Sequence, residues 1–135
     1  MTPFKLQILT PDKEFFSGET ENLIVRTTVG DKGILARHEE YVAALPIGQL
    51  KVKIDGKFRV AAVSEGVVKV GKDKTVVLVQ SCEWADEIDV SRAKAAKETA
   101  EEKIKSAEKE DKAYLMAEYK LKRAINRIET FEQHK

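Results

Sequence analysis

Beyond Gly71 the chain of 135 residues contains no glycine and no proline. Glycine turns the backbone through positive φ and proline presets turns. The last 64 residues therefore lack the chemistry of closely spaced tight turns. There is a single cysteine, Cys82. No internal disulfide can form, and a secreted fold built on disulfides is not expected. The two histidines, His38 and His134, have no companions at metal-ligand spacing, so no metal is expected. No apolar run approaches the ~18 residues of a membrane span. The first residues, Met1-Thr2-Pro3-Phe4-Lys5, read as neither a signal peptide nor a transit segment. Membrane association is expected only through a partner. The net charge of +1 gives no general pull toward nucleic acid. No Ser/His/Asp or Cys/His nucleophile pattern is present, and Gly30-Asp31-Lys32-Gly33 is too short to cradle a phosphate. Catalysis by this chain is not expected.

What is present divides in two. The first part alternates apolar and polar residues in short runs closed by turn residues. Phe4 to Ile8 reads as a half-buried strand, and Glu14-Phe15-Phe16 as a short run before Gly18. Asn22 to Val29 puts Leu23, Val25 and Thr27 on one face, with Gly30 to Gly33 as a tight connection. Leu50 to Ile54, Asp55-Gly56 and Phe58 to Val60 read as a hairpin, because Asp-Gly supplies the positive φ that such turns need. Thr75 to Val79 is nearly continuous and β-branched, which predicts a strand covered on both faces. Strands this short and evenly punctuated predict an all-β sandwich or flattened barrel. Cys82 is expected to be structural, and Trp84 marks the joint between the first part and the second.

The second part is rich in Ala, Glu, Lys and Arg, the composition of solvated helices. Asp89 is a good N-cap, and Val90, Ala93, Ala96, Ala100, Ile104 and Ala107 recur at helical spacing. Glu108 to Asp111 interrupts, and Asp111 can cap a second helix. Its stripe is Tyr114, Ala117, Leu121, Ala124, Ile125, Ile128 and Phe131. Two helices with one apolar seam each predict an antiparallel hairpin. The expected domains are 1–86, a β-sandwich, and 87–135, a helical hairpin, α+β overall.

In a hairpin turning between Lys109 and Glu110, Arg92 falls level with Arg127, and Ala96 with Arg123. Arg123 and Arg127, four apart, share a helix face. Three guanidinium groups then collect at the open end, beside the first turn of a helix, where anions are favoured. Two readings stay open on these residues alone. Either an anion offsets the repulsion of the three arginines, or they are solvated and paired with Glu87, Glu98 and Glu129. Asp89 and Glu83 lie just upstream and can accept hydrogen bonds from a ligand or pair with an arginine.

Ile88-Asp89-Val90-Ser91-Arg92-Ala93 resembles the I/L-D-x-x-R-A nucleotide motif of bacterial F-type ATP synthase epsilon subunits. Leu121 to Arg127 resembles the basic segment of their second helix. Thr10-Pro11-Asp12 resembles an early turn of the family. The segment Gly30 to His38, followed by Val42 to Leu45, resembles its G-x-x-G-x-L-x-x-H stretch. The similarity runs along essentially the whole chain in order, and is greatest to versions from bacilli. It implies a non-catalytic rotor subunit of the central stalk, on the cytoplasmic face of the cell membrane. The β-domain is expected against the gamma subunit and the c-ring. The hairpin is expected to bind ATP as a regulatory ligand when folded, and to reach the alpha and beta subunits and inhibit ATP hydrolysis when extended.

By the same resemblance, Arg92, Arg123 and Arg127 hold phosphates, while Glu83, Ile88, Asp89 and Ala93 shape the ribose and adenine side. Some relatives carry a further arginine one or two turns after the motif. Here the stretch reads Lys97-Glu98-Thr99, which leaves Thr99 to replace a phosphate contact, with Lys97 or Lys103 as candidates to compensate. Two other readings fit the residues without the resemblance. One is a free-standing nucleotide or anion sensor with a movable hairpin. The other is a structural adaptor whose helices form an intermolecular coiled coil.

Overall fold

The alternation of the first part becomes two five-stranded sheets. A computed structural model describes residues 2–36 and 39–134, and Arg37 and His38 lie outside the described residues. Among the described residues there are ten strands: β1 Phe4–Leu9, β2 Glu14–Thr20, β3 Leu23–Thr27, β4 Gly30–Ile34, β5 Tyr41–Leu45, β6 Gly48–Ile54, β7 Lys57–Val63, β8 Gly66–Val70, β9 Lys74–Val79 and β10 Cys82–Trp84. They form one sheet of order β2-β1-β9-β8-β5 and another of order β10-β7-β6-β3-β4. Most neighbours pair antiparallel. The exception is β1 with β9, parallel from Lys5↔Lys74 to Leu9↔Leu78.

Alternate side chains of both sheets fill one core. Leu6, Ile8, Val68, Val70, Val77 and Val79 come from the first sheet, and Leu23, Val25, Ile34, Leu50, Val52 and Val63 from the second. Period two puts such residues on one face, and their burial is the main stabilising term. The β6–β7 turn uses Asp55 and Gly56 at φ 52° and 79°, both in the left-handed region that a two-residue hairpin needs.

Three expectations are corrected. Gly30 to Gly33 is not a connection: Gly30 opens β4, and the reversal falls on Thr28-Val29, next to Gly30 at φ 114°. The strand beginning at Glu14 does not stop before Gly18 but runs to Thr20. The β9 run is not covered on both faces. Thr75, Val77 and Val79 are buried, but Leu78 is 45% exposed. The β-branched run reflects a central strand between β1 and β8, with one face turned outward.

Trp84 packs within the β-structure. Its ring lies 4.8 Å from that of Phe15 and 6.3 Å from that of Phe16, while the Arg59 guanidinium stacks over it at 4.2 Å. Cys82 is buried two residues earlier.

The described residues divide into two units between Trp84 and Ala85. The second begins with a 3-10 turn, Ala85–Glu87, followed by α1, Val90–Ser106, and α2, Lys112–Gln133. The helices pack as an antiparallel hairpin whose seam is buried at Ala93, Ala100, Ala117, Ala124 and Thr130. Alanine at these points permits close approach and buries little area. The buried Thr130 hydroxyl donates to the Asn126 carbonyl at 2.7 Å, which satisfies it inside its own helix. Among the described residues, no helix is long and apolar enough to cross a membrane.

Candidate functional site

Asp89 caps α1. Its backbone is extended at φ −80° and ψ 93°, and its Oδ1 accepts the Arg92 backbone N–H at 3.1 Å. One of the four unpaired donors of the first turn is thereby satisfied. Asp111 occupies the same position before α2 without a side-chain cap bond. A turn closed by the Asp111 N–H on the Glu108 carbonyl, at 3.0 Å, joins the helices. That centres the reversal on Lys109 and Glu110 and sets the register of the hairpin.

A groove of about 610 Å³ runs along one side of the hairpin. Its α1 wall carries Ala96, Thr99, Ala100 and Lys103, spaced as one helix face. Its α2 wall carries Met116, Ala117, Lys120, Arg123, Ala124 and Arg127. The α1 wall is short and mostly neutral, and the α2 wall projects three cations. Small side chains opposite long basic ones leave room between the helices, and that room carries positive potential. Arg123 stands over the Tyr119 ring at 5.7 Å, within its own helix.

The sequence-named residues separate. Arg123 and Arg127 both line the groove, half-buried. Arg92 is exposed and falls one turn beyond Ala96 on the same face of α1, but it is not among the residues lining the groove. Asp89 is exposed beside it. Ala93, with no exposed surface, lies in the seam, and Ile88 is also buried. Glu83 stands on β10, paired with Ala62 of β7, in the first unit. The Thr99 hydroxyl donates to the Ala95 carbonyl at 3.0 Å, so its proton is engaged by its own helix. Lys103 lines the groove and Lys97 does not.

Lys120 was not singled out by the sequence. It sits three residues before Arg123 and seven before Arg127, so helical periodicity alone places all three on one stripe. The signal was hidden because Lys120 and Lys122 together read as a solvated basic patch, and only Lys120 lines the groove. Ala96, counted as a seam residue, is exposed and lines the groove.

Elsewhere, burial and the neighbouring Glu83 charge push the Cys82 thiol up to about 12, with Lys13 acting weakly the other way. A thiol held neutral is a poor nucleophile. Among the described residues, no cluster of three or more His, Cys, Asp or Glu could hold a metal.

The described residues thus combine an all-β unit with a two-helix hairpin whose groove is basic along its α2 side. Residues 3–85 match the family model for the ATP synthase delta/epsilon chain beta-sandwich domain, and residues 86–132 match that for its long alpha-helix domain. The chain is 50% identical over 129 residues to an ATP synthase epsilon chain of Ruminococcus albus, covering 95% of this chain and 96% of that one. It is 41% identical over 137 residues to one from Caldicellulosiruptor saccharolyticus, covering 100% and 98%. Among solved structures, it is similar to a chain of the Euglena gracilis mitochondrial ATP synthase assembly of OSCP, F1 and c-ring. That match has a TM-score of 0.74 at 25% identity and covers 90% of this chain and 77% of that one. The chain belongs to the bacterial F-type ATP synthase epsilon family, whose members are non-catalytic stalk subunits of the complex.

Proposed function

We propose that this chain is a regulatory rotor subunit, with a β-sandwich that docks on the gamma subunit and the c-ring and a hairpin that binds ATP in its folded form. When extended, the hairpin reaches the alpha and beta subunits and inhibits ATP hydrolysis. The chain then lies peripherally at the cytoplasmic face of the cell membrane, held there by the complex.

One observation carries the regulatory half: Arg123, Arg127 and Lys120 line a single groove, facing an α1 wall of small residues to which Lys103 adds a fourth cation. Like charges so placed repel each other, and a polyphosphate between them converts the repulsion into charge-assisted hydrogen bonds. Arg92 and the amide groups of the first turn of α1 extend the same positive character toward the open end. No metal enters this reading.

The switch is a linkage effect. The seam is rich in alanine and buries little, so the folded hairpin is held weakly. A ligand that binds only the folded form stabilises it by about 2.7 kcal/mol at a hundredfold excess over its dissociation constant. That is enough to reverse a preference of about a kcal/mol or two.

The docking half is supported by the outer face of the first sheet, where Val42 and Leu78 are 66% and 45% exposed. The pairings of β5, β8 and β9 put these two residues on the same face.

The test is an ATP titration of the intact chain with distance probes near residues 92 and 127. The reading expects saturable binding and a shortened, narrowed distance on adding ATP. Binding with an unchanged distance distribution would remove the latch. Absence of binding would remove the nucleotide from the account.

A further inference from the structure

Thr99 and Lys120 both line the hairpin groove, and the turn centred on Lys109 and Glu110 places them at one level on opposite walls. Thr99 offers little to an anion, because its hydroxyl proton is donated to the Ala95 carbonyl. Whatever phosphate reaches this level must find its donor across the groove, on α2. Lys120 is the residue there.

Along α2, Arg127, Arg123 and Lys120 make a stripe about 10 Å long, from seven residues at the rise of a helix. That is longer than one phosphate group spans. The open end of the hairpin carries the Asp89 carboxylate, anchored by its bond from the Arg92 N–H. Arg92 sets a cation beside that carboxylate, so the open end is mixed in charge, whereas no carboxylate is among the residues lining the groove. A nucleotide therefore lies with its neutral part toward Asp89 and its phosphates running toward the turn, with the last phosphate at Lys120.

We infer that Lys120 is the terminal-phosphate contact of this groove and gives it a preference for a nucleoside triphosphate over a diphosphate. The inference rests on the reading of the groove as a nucleotide site. Lys120 is exposed, as a flexible point charge that closes on a ligand can be. Lys103, one turn beyond Thr99 on the α1 wall, is the rival donor.

The experiment is calorimetric titration of the intact chain with ATP and with ADP at low salt. The variants are Lys120→Gln, Lys120→Arg, Lys103→Gln and Arg123→Gln, with Lys112→Gln as a control outside the groove. Lys120→Gln is expected to weaken ATP about fivefold to tenfold, and ADP less than about twofold. Lys120→Arg should keep most of the ATP preference, and Lys112→Gln should match the wild type. Equal losses for ATP and ADP in Lys120→Gln, or no loss while Lys103→Gln loses ATP selectively, would overturn the assignment and leave the nucleotide site standing. If the wild-type chain binds neither nucleotide, or if Arg123→Gln binds both as the wild type does, the reading of the groove falls and this inference with it.

Discussion

The Arg123 guanidinium stands 5.7 Å from the centre of the Tyr119 ring, one turn earlier on the same helix. A cation over an aromatic face loses part of its rotational freedom before any ligand arrives. The ring thus acts as a shelf that presents Arg123 to the groove. Replacement of Tyr119 by Leu keeps an apolar side chain and removes the shelf. ATP affinity is expected to fall about twofold to fivefold, from the ~0.5–1 kcal/mol of an exposed cation–π contact. Circular dichroism should show unchanged helicity. Equal affinities for the two proteins would show that the ring does not position the arginine.

Asp89 serves the hairpin whether or not ligand is bound. Asp89→Ala removes the acceptor of the Arg92 N–H and costs about 1 kcal/mol of helix stability. Without ATP, the variant should show faster limited proteolysis within residues 88–133, while the β-unit stays resistant. Identical digestion patterns and rates would contradict the cap as a stabilising element.

Gly66 is fixed by close approach of backbone. It pairs with Leu45 on one side and Val79 on the other, and a Cβ there would lie 1.9 Å from the Leu78 carbonyl oxygen and 2.7 Å from the Val79 Cα. Because the obstacle is backbone, the strands must part to admit a methyl group. Gly66→Ala should destabilise the β-unit by about 2–4 kcal/mol in urea unfolding. A change under about 0.5 kcal/mol would show that β8 and β9 can shift freely.

Cys82 supplies a pH dependence with a definite sign. Its folded pKa is raised, by burial first, from an ordinary 9.0 to about 12. The neutral thiol's contribution to stability is fully present below about pH 9 and is lost as pH rises toward 12. The stability difference between wild type and Cys82→Ala should therefore shrink above pH 9, by at most about 1.4 kcal/mol per pH unit. A difference constant from pH 8 to 10.5 would contradict the buried thiol.

Local chemistry was legible in the sequence, and long-range pairing was not. Asp55-Gly56 announced its hairpin because a two-residue turn has few solutions, and Asp89 announced its cap, whereas Asp111, read by the same rule, makes no side-chain cap bond. The β-sandwich and the paired helices followed from these periods. The parallel partnership of β1 with β9 joins segments from opposite ends of the β-unit and leaves no local mark. For the same reason, the outward face of Leu78 could not be separated from a covered one: a β-branched run reads alike in both. In the helices, a spacing of four placed Arg123 and Arg127 on one face and both line the groove, whereas the register that set Arg92 level with Arg127 did not bring Arg92 into the groove's lining. Lys120 escaped notice among many lysines until the groove showed which of them share its wall. The engagement of Thr99 with its own backbone is likewise a rotamer choice that composition does not reveal.

Whether the cations of α2 act as one anion site is decided by titrating ATP into the intact chain and into the double variant Arg123→Gln/Arg127→Gln, with helicity checked in both. One ATP should bind per wild-type chain. Binding should be at least about a hundredfold weaker in the double variant at unchanged helicity, since two charge-assisted contacts of about 1.5–3 kcal/mol each are lost. Equal affinity in the two proteins would show that these arginines hold no nucleotide.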